Sequence, residues 1–236
     1  HIDSVVYYSL MSTFYVIATP IGNLEDITLR ALRILKEADL VLCEDTRVTK
    51  RLFERHGIST PMMSYHAQSG EAKVDLIIEK AGEGKNIALV TDAGTPGISD
   101  PGSLLISKLR AAYPDLQIVA IPGASALTAA LSIAGVPTHE FIFLGFMPHK
   151  KGRETLFKEI AESERAIVFY ESTHRILKTL ESLLKINKEV TIVREITKIY
   201  EEVLQGSAEE ILKILTDTPE KQKGEFVVIV SEQTKG

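Results

Sequence analysis

Two rhythms of apolar residues alternate along this chain. Short continuous apolar runs at residues 13–18, 39–43, 86–91 and 116–121 have the length and β-branched content of strands. Between them run segments with helical spacing. Residues 28–38 place apolar side chains at positions 29, 31, 32, 34, 35 and 38, one face of a helix. Further helices are predicted from Glu44-Asp45-Thr46-Arg47 to His56, over 70–81, over 103–112, and from Pro122-Gly123-Ala124-Ser125 to Ala134. Strand, loop and helix thus alternate four times. Strands apolar on both faces, each followed by a helix, predict a parallel sheet covered on both sides. In such sheets ligands bind beyond the carboxyl ends of the strands.

The rhythm changes after residue 135. Strands are predicted over 141–145, 166–170, 189–195, 201–204 and 225–231, and helices over 154–162, 172–184 (with Ser172 as cap) and 208–215. Two consecutive strands without a helix, 189–195 and 201–204, predict an antiparallel hairpin and therefore a mixed sheet. The expected organisation is two α/β domains, residues 11–135 and 136–236. Residues 1–10 lack a basic n-region and a small-residue cleavage site. They are expected to be an appended or misassigned leader, with Met11 the natural start.

Composition narrows the function classes. The 236 residues are 44% hydrophobic and 25% charged, as in an ordinary globular chain. One cysteine, Cys43, excludes a disulfide framework and a thiolate zinc cluster, and fits a reducing cytoplasm. Six scattered histidines form no H-x3-H pair, so no metal is expected. No apolar run reaches the ~18 residues of a membrane span. The net charge of −5 gives no bulk attraction to nucleic acid, so an RNA partner would need a local basic patch.

Candidate chemistry falls at the strand ends. Asp92-Ala93-Gly94-Thr95-Pro96-Gly97-Ile98-Ser99-Asp100-Pro101-Gly102 is longer than the ~2–6 residues of a structural βα turn, and its glycines let backbone approach a ligand. Gly123-Ala124-Ser125-Ala126-Leu127 approximates a nucleophile elbow. Leu127 in place of the last glycine, and Pro122 before the turn, favour a helix cap or ligand contact over a hydrolase. Asp45 and Arg47 at another strand end can orient a hydroxyl or phosphate, or cap the next helix. His66 is balanced between a loop and a substrate-facing role. Pro148-His149-Lys150-Lys151-Gly152-Arg153 is a compact cation cluster, read as a solvated loop or as phosphate contacts. Phe169-Tyr170-Glu171-Ser172-Thr173-His174-Arg175 brings an acid, a hydroxyl, an imidazole and a guanidinium to one more strand end. P-loop and G-x-G-x-x-G signatures are absent from the sequence.

These loops in this order, with Ala18-Thr19-Pro20-Ile21-Gly22-Asn23-Leu24-Glu25-Asp26-Ile27-Thr28 and Lys223-Gly224-Glu225-Phe226, resemble the tetrapyrrole methylase superfamily from about Thr13 to the C-terminus. The resemblance implies two α/β domains with S-adenosylmethionine (SAM) in the cleft between them, and a homodimer. Porphyrin-modifying members carry a Gly-Gly-Asp-Pro-type loop where this chain has Ala93-Gly94-Thr95-Pro96. The departure favours the branch that methylates the 2′-hydroxyl of a cytidine in the decoding region of 16S rRNA, on the small ribosomal subunit; a porphyrin or corrin substrate is the alternative. By motif, Pro20, Ala93, Gly94, Thr95, Ile98, Ser125, Ala126, Glu171 and Ile196 are implied to contact the cofactor. A proton acceptor is expected at Glu171 or Asp45. RNA contacts are expected at Arg47, His66, Lys150, Lys151 and Arg153.

Overall fold

A computed structural model describes residues 12–100 and 102–232. The expected leader 1–10, the start at Met11 and Pro101 of the long loop lie outside the described residues. The chain divides into two compact units, residues 1–125 and 126–236.

The first unit is built on a five-stranded, all-parallel sheet. Its strands are β1 (Thr13–Ile17), β2 (Leu40–Cys43), β3 (Met62–Ser64), β4 (Ile87–Leu89) and β5 (Gln117–Ile121), in the spatial order β3-β2-β4-β1-β5. The helices are α1 (Leu29–Glu37), α2 (Thr46–His56), α3 (Glu71–Gly82) and α4 (Gly102–Ala112). The two-residue period of the strands sorts alternate side chains to opposite faces. Ile17, Val41, Cys43 and Ala88 pack with Ala31, Leu35, Leu52 and Phe53 of α1 and α2. Phe14, Leu42, Ile87 and Leu89 pack with Val74, Ile77, Leu105 and Leu109 of α3 and α4. Both faces are therefore covered, as the continuous apolar strands predict. Side chains fix the helix starts: the Thr28 hydroxyl accepts from the Ala31 amide, and the Asp45 carboxylate from the Arg47 amide.

The second unit carries a mixed sheet in the order β6-β7-β10-β8-β9. Its strands are β6 (Phe141–Phe146), β7 (Ala166–Ser172), β8 (Glu189–Arg194), β9 (Glu202–Ser207) and β10 (Glu225–Ser231). β6 runs parallel to β7, and the other pairs are antiparallel, including the β8–β9 hairpin. Helix α5 (Ala126–Ile133) packs on the sheet at β10, and the Tyr170 phenol accepts a hydrogen bond from the Leu127 amide. These contacts group α5 with the second unit, whereas the sequence reading placed it in the first. Helices α6 (Arg153–Glu162), α7 (Ile176–Leu183) and α8 (Ala208–Asp217) follow β6, β7 and β9. They bury Ile160, Leu180, Leu183, Ile211 and Leu215 against Phe169, Ile192 and Val228.

Two of the differences between expected and observed element boundaries have clear causes in pairing and capping. The helix expected from Ser172 begins at Ile176, because Ser172 extends β7 opposite Glu225. The Thr173 hydroxyl then donates to the Gly224 carbonyl and accepts from the Gly224 amide, holding the chain in a turn. β9 runs on to Ser207, which ends it by opening α8 through a reciprocal capping box with Glu210. Among the described residues no helix is long and apolar enough to cross a membrane.

Candidate functional site

In the first unit the predicted ligand loops meet at the carboxyl ends of three adjacent strands, β4, β1 and β5. Thr19 and Gly94 exchange both backbone hydrogen bonds, at 2.9 and 3.1 Å. The Thr19 hydroxyl donates to the Thr91 carbonyl, and the Thr95 hydroxyl to the Ala124 carbonyl. The loop after β4 is thereby stitched to Pro20 on one side and to the Pro122–Ser125 turn on the other. Gly94 needs its glycine because φ is +86°. Gly123 needs its glycine for space, since a Cβ there would lie 3.0 Å from the Ala18 Cβ. The Asp100 carboxylate accepts from the amides of Gly97 and Gly102, which shapes the turn into α4. Pro20 and Gly94 are buried, Thr95, Ser125 and Ala126 are half-buried, and Ala93 and Ile98 are exposed. The loop thus has a stitched inner side and an open outer side carrying Ala93 and Ile98. Ser99 joins that outer side with φ +69°, uncommon for a residue with a Cβ.

Carboxylates gather next to this loop, at the ends of β2 and β4. Glu44 accepts from the Thr91 hydroxyl (2.5 Å) and Asp92 from the Asp45 amide (3.0 Å). Asp45 is chelated by the Arg47 guanidinium at 2.6–3.1 Å and also caps α2. Bonds from the Arg47 side chain and amide hold its pKa down at about 2. Asp92, although exposed on its outer side, moves the other way: partial desolvation of its carboxyl, and the neighbouring charges of Glu44 and Asp45, raise it above the usual carboxylate value. Arg47 is exposed apart from that pairing. His66 follows β3; its amide donates to the Ser69 hydroxyl, and its Nδ1 is buried with no partner. Among the described residues no group of three His, Cys, Asp or Glu side chains is placed to hold a metal.

In the second unit two of the expected contact residues have buried, engaged side chains. Glu171 is 1% exposed. It shares a face of β7 with Phe169, and its partners lie on α6, on α7 and at the residue before α7. Its Oε1 accepts from Arg175 Nε (2.9 Å) and from the Ser172 amide (2.8 Å), and its Oε2 from the Thr179 hydroxyl (2.6 Å). The Arg153 Nη1 stands 3.8 Å from the same oxygen. A carboxylate so engaged is not presented to a cofactor or to a substrate hydroxyl. Arg153, expected on the RNA surface, is 8% exposed. Its Nη2 donates to Thr179 (2.7 Å), and its guanidinium lies 5.0 Å from the centre of the Phe157 ring. Buried Glu171 draws it inward, because an unpaired interior carboxylate is costly. Lys150 and Lys151 are exposed on the β6–α6 connection.

Ile196 is buried in the β8–β9 connection, between Glu195 at φ +50° and Thr197 at φ +66°. A β-branched residue in that region is strained. The Thr197 Oγ1 is buried without a hydrogen-bond partner. Strain and an orphaned hydroxyl set the β8–β9 connection apart, while Ile196 itself is 8% exposed and offers little surface to a ligand.

Asp92 and Arg175 entered the sequence reading only as members of motifs, without roles of their own, and Thr179 did not enter it. Arg175 was legible as the residue four after Glu171. Thr179 lies on the buried face of α7 with Ile176, Leu180 and Leu183, and its type and spacing carry no signal of their own. The raised proton affinity of Asp92 comes first from desolvation and then from Glu44 and Asp45, all of which arise only after β2 pairs with β4.

Comparison with known proteins adds the following. A family model described as Tetrapyrrole (Corrin/Porphyrin) Methylases matches residues 13–212. A protein of Halalkalibacterium halodurans named ribosomal RNA small subunit methyltransferase I is 45% identical over 222 residues, covering 92% of this chain and 75% of the relative. A protein of the same name from Thermotoga maritima is 42% identical over 225 residues, covering 94% of this chain and 99% of the relative. Among solved structures, diphthine synthase superposes with a TM-score of 0.73 at 18% identity, covering 94% of this chain and 90% of that one. Cobalt precorrin-4 methyltransferase gives 0.68 at 18% identity, covering 94% and 95%. Likenesses at that identity carry the fold alone.

Proposed function

Because the chain belongs to the tetrapyrrole (corrin/porphyrin) methylase family, we propose that it methylates small-subunit ribosomal RNA with SAM as donor. The observation that carries this reading is the 42% identity to a relative of that name along 94% of this chain and 99% of the relative's length. The finer reading is transfer to the 2′-hydroxyl of a cytidine in the decoding region of 16S rRNA, by a cytoplasmic homodimer acting on the assembled subunit. A net charge of −5 agrees with a particle whose shape and proteins add to affinity.

SAM supplies an already activated methyl group, so the protein's tasks are alignment and proton acceptance. Pro20, Ala93, Gly94, Thr95, Ile98 and Ser125 would hold the donor in the first unit, and Ala126 and Ile196 in the second. The β4–α4 loop is fixed in advance by its bonds to Thr19 and Ala124, so it loses little freedom on binding. Asp92 is better suited than Asp45 to take the ribose proton. Its raised proton affinity brings it nearer to working pH, whereas Arg47 holds Asp45 at about 2. Asp92 also directly precedes Ala93 of the donor loop. Lys150, Lys151 and Arg47 supply exposed cations for phosphates, and His66 a further polar contact.

The test uses SAM carrying a labelled methyl group, the purified protein, and small subunits lacking the modification. Naked 16S rRNA and uroporphyrinogen run in parallel. Label recovered in a ribose-methylated nucleotide of the subunit is the expected result. Label in the porphyrin alone would transfer the reading to a macrocycle substrate. Label in neither, with tight SAM binding, would refute the ribosomal assignment.

A further inference from the structure

The sequence places Glu171 and the basic segment 148–153 far apart in the chain and gives each its own task. The structure joins them. Arg175, held by Glu171 Oε1, donates through Nη1 to the Met147 carbonyl at 2.6 Å. Arg153, beside Glu171 Oε2, donates through Nη1 to the Pro148 carbonyl at 3.4 Å. The Arg153 amide bonds the Lys150 carbonyl at 3.2 Å. Thr179 closes the set, donating to Glu171 at 2.6 Å and accepting from Arg153 at 2.7 Å. Two guanidiniums therefore grip consecutive carbonyls at the root of the connection that carries exposed Lys150 and Lys151.

We infer that Glu171 is a positioning residue for substrate binding: through Arg153 and Arg175 it sets the conformation in which Lys150 and Lys151 face the RNA phosphates. The inference rests on the reading that those lysines contact ribosomal RNA. The chemical logic is economy of freedom. A loop of flexible lysines loses conformational entropy when it meets phosphate, and a fixed root reduces that loss. Guanidiniums suit the task because a planar fork can hold a carboxylate and a carbonyl together, which an ammonium cannot do with fixed direction. A clamp of this kind acts on the affinity for RNA. It touches neither the donor nor the reacting hydroxyl.

Three variants separate the possibilities: Lys150→Ala/Lys151→Ala, Glu171→Gln, and Arg175→Lys as a milder cut in the same clamp. Steady-state methylation of small subunits is measured from low to high salt, with SAM affinity by calorimetry and trypsin cleavage at Lys150 and Lys151 in the absence of RNA. The lysine pair variant is expected to raise KM for subunits about tenfold and to lower the salt slope by ~2, one per lost phosphate contact. Glu171→Gln and Arg175→Lys are expected to raise KM by a similar factor, to leave kcat and SAM affinity within about twofold, and to speed cleavage at the two lysines. If the lysine pair variant leaves KM unchanged, the RNA reading of the loop fails. If it raises KM while Glu171→Gln and Arg175→Lys do not, the clamp inference alone is overturned. A fall in kcat or in SAM affinity at unchanged KM also overturns it and returns Glu171 to the donor site. Should Glu171→Gln fail to fold, Arg175→Lys decides between the same outcomes.

Discussion

Thr179→Val is the sharpest probe of the buried charge network. Valine keeps the shape of threonine, so the change removes a hydroxyl without opening a cavity. That hydroxyl is 0% exposed and makes two bonds to charged groups, donating to Glu171 at 2.6 Å and accepting from Arg153 at 2.7 Å. Hydrogen bonds to charged groups are worth about 1.5–3 kcal/mol each, and the partners left behind stay buried. Glu171 keeps Arg175 and the Ser172 amide, and Arg153 keeps the Pro148 carbonyl, so the sum falls short of full additivity. The expected loss is about 3 kcal/mol, confined to the second unit. Thr179→Ser keeps the hydroxyl, sheds one methyl, and should lose about 1 kcal/mol. Urea unfolding followed by circular dichroism gives the total. Hydrogen exchange of β7 and α7 amides assigns it to the right unit, which matters where two units need not melt as one. A Thr179→Val protein within about 0.5 kcal/mol of wild type, or more stable than Thr179→Ser, would refute the bridging role of the hydroxyl.

Three further outcomes are expected. Gly123→Ala pushes a methyl to 3.0 Å from the Ala18 Cβ, next to the Thr19–Gly94 bridge, and should weaken SAM binding by about tenfold in calorimetry, an overpacking cost of ~1–3 kcal/mol expressed at the loop; unchanged affinity would disconnect that turn from the donor site. Asp45, held by Arg47 at about 2, favours the fold fully above its unfolded value near ~3.9 and loses that contribution as pH falls toward 2; carbon-13 titration should place its midpoint there, and Arg47→Ala should bring it back up. Asp92 has the opposite sign, since a raised carboxylate favours the fold at low pH and disfavours it once ionised; Asp92→Asn should therefore raise the melting temperature at pH 7 while lowering kcat, and a variant with full kcat would remove Asp92 as proton acceptor.

Much of the first unit was legible because its physics is local and periodic. Runs such as Leu40–Cys43, buried at every position, can only be strands covered on both faces, and strand-helix alternation then fixes a parallel sheet with its loops at one edge. The glycines of the β4–α4 loop mark a backbone path that favours glycine, with Gly94 at φ +86° and Gly97 at φ +88°. The second unit was less legible because its decisive terms are non-local. Ser172 reads as a helix cap, yet it remains strand because Glu225, distant in sequence, pairs with it. The strain at Thr197 belongs to a turn fixed by its surroundings and leaves no mark in composition.

The basic segment shows why charge read from sequence splits when it folds. Lys150, Lys151 and Arg153 form one cluster on paper, and their side chains part company at the first turn of α6. An ammonium is a strongly hydrated point charge and stays outside. A guanidinium is weakly hydrated, planar and rich in donors, and it can be buried where acceptors surround it. Here those acceptors are Glu171, the Thr179 hydroxyl and the Pro148 carbonyl, with the Phe157 ring beside them. The same difference explains Arg175, whose fork spans Glu171 and the Met147 carbonyl. The buried carboxylate that looked like a proton acceptor in the sequence thus answers the charge of two arginines. What reaches the surface is the part of the cluster that water, and by extension phosphate, can hold.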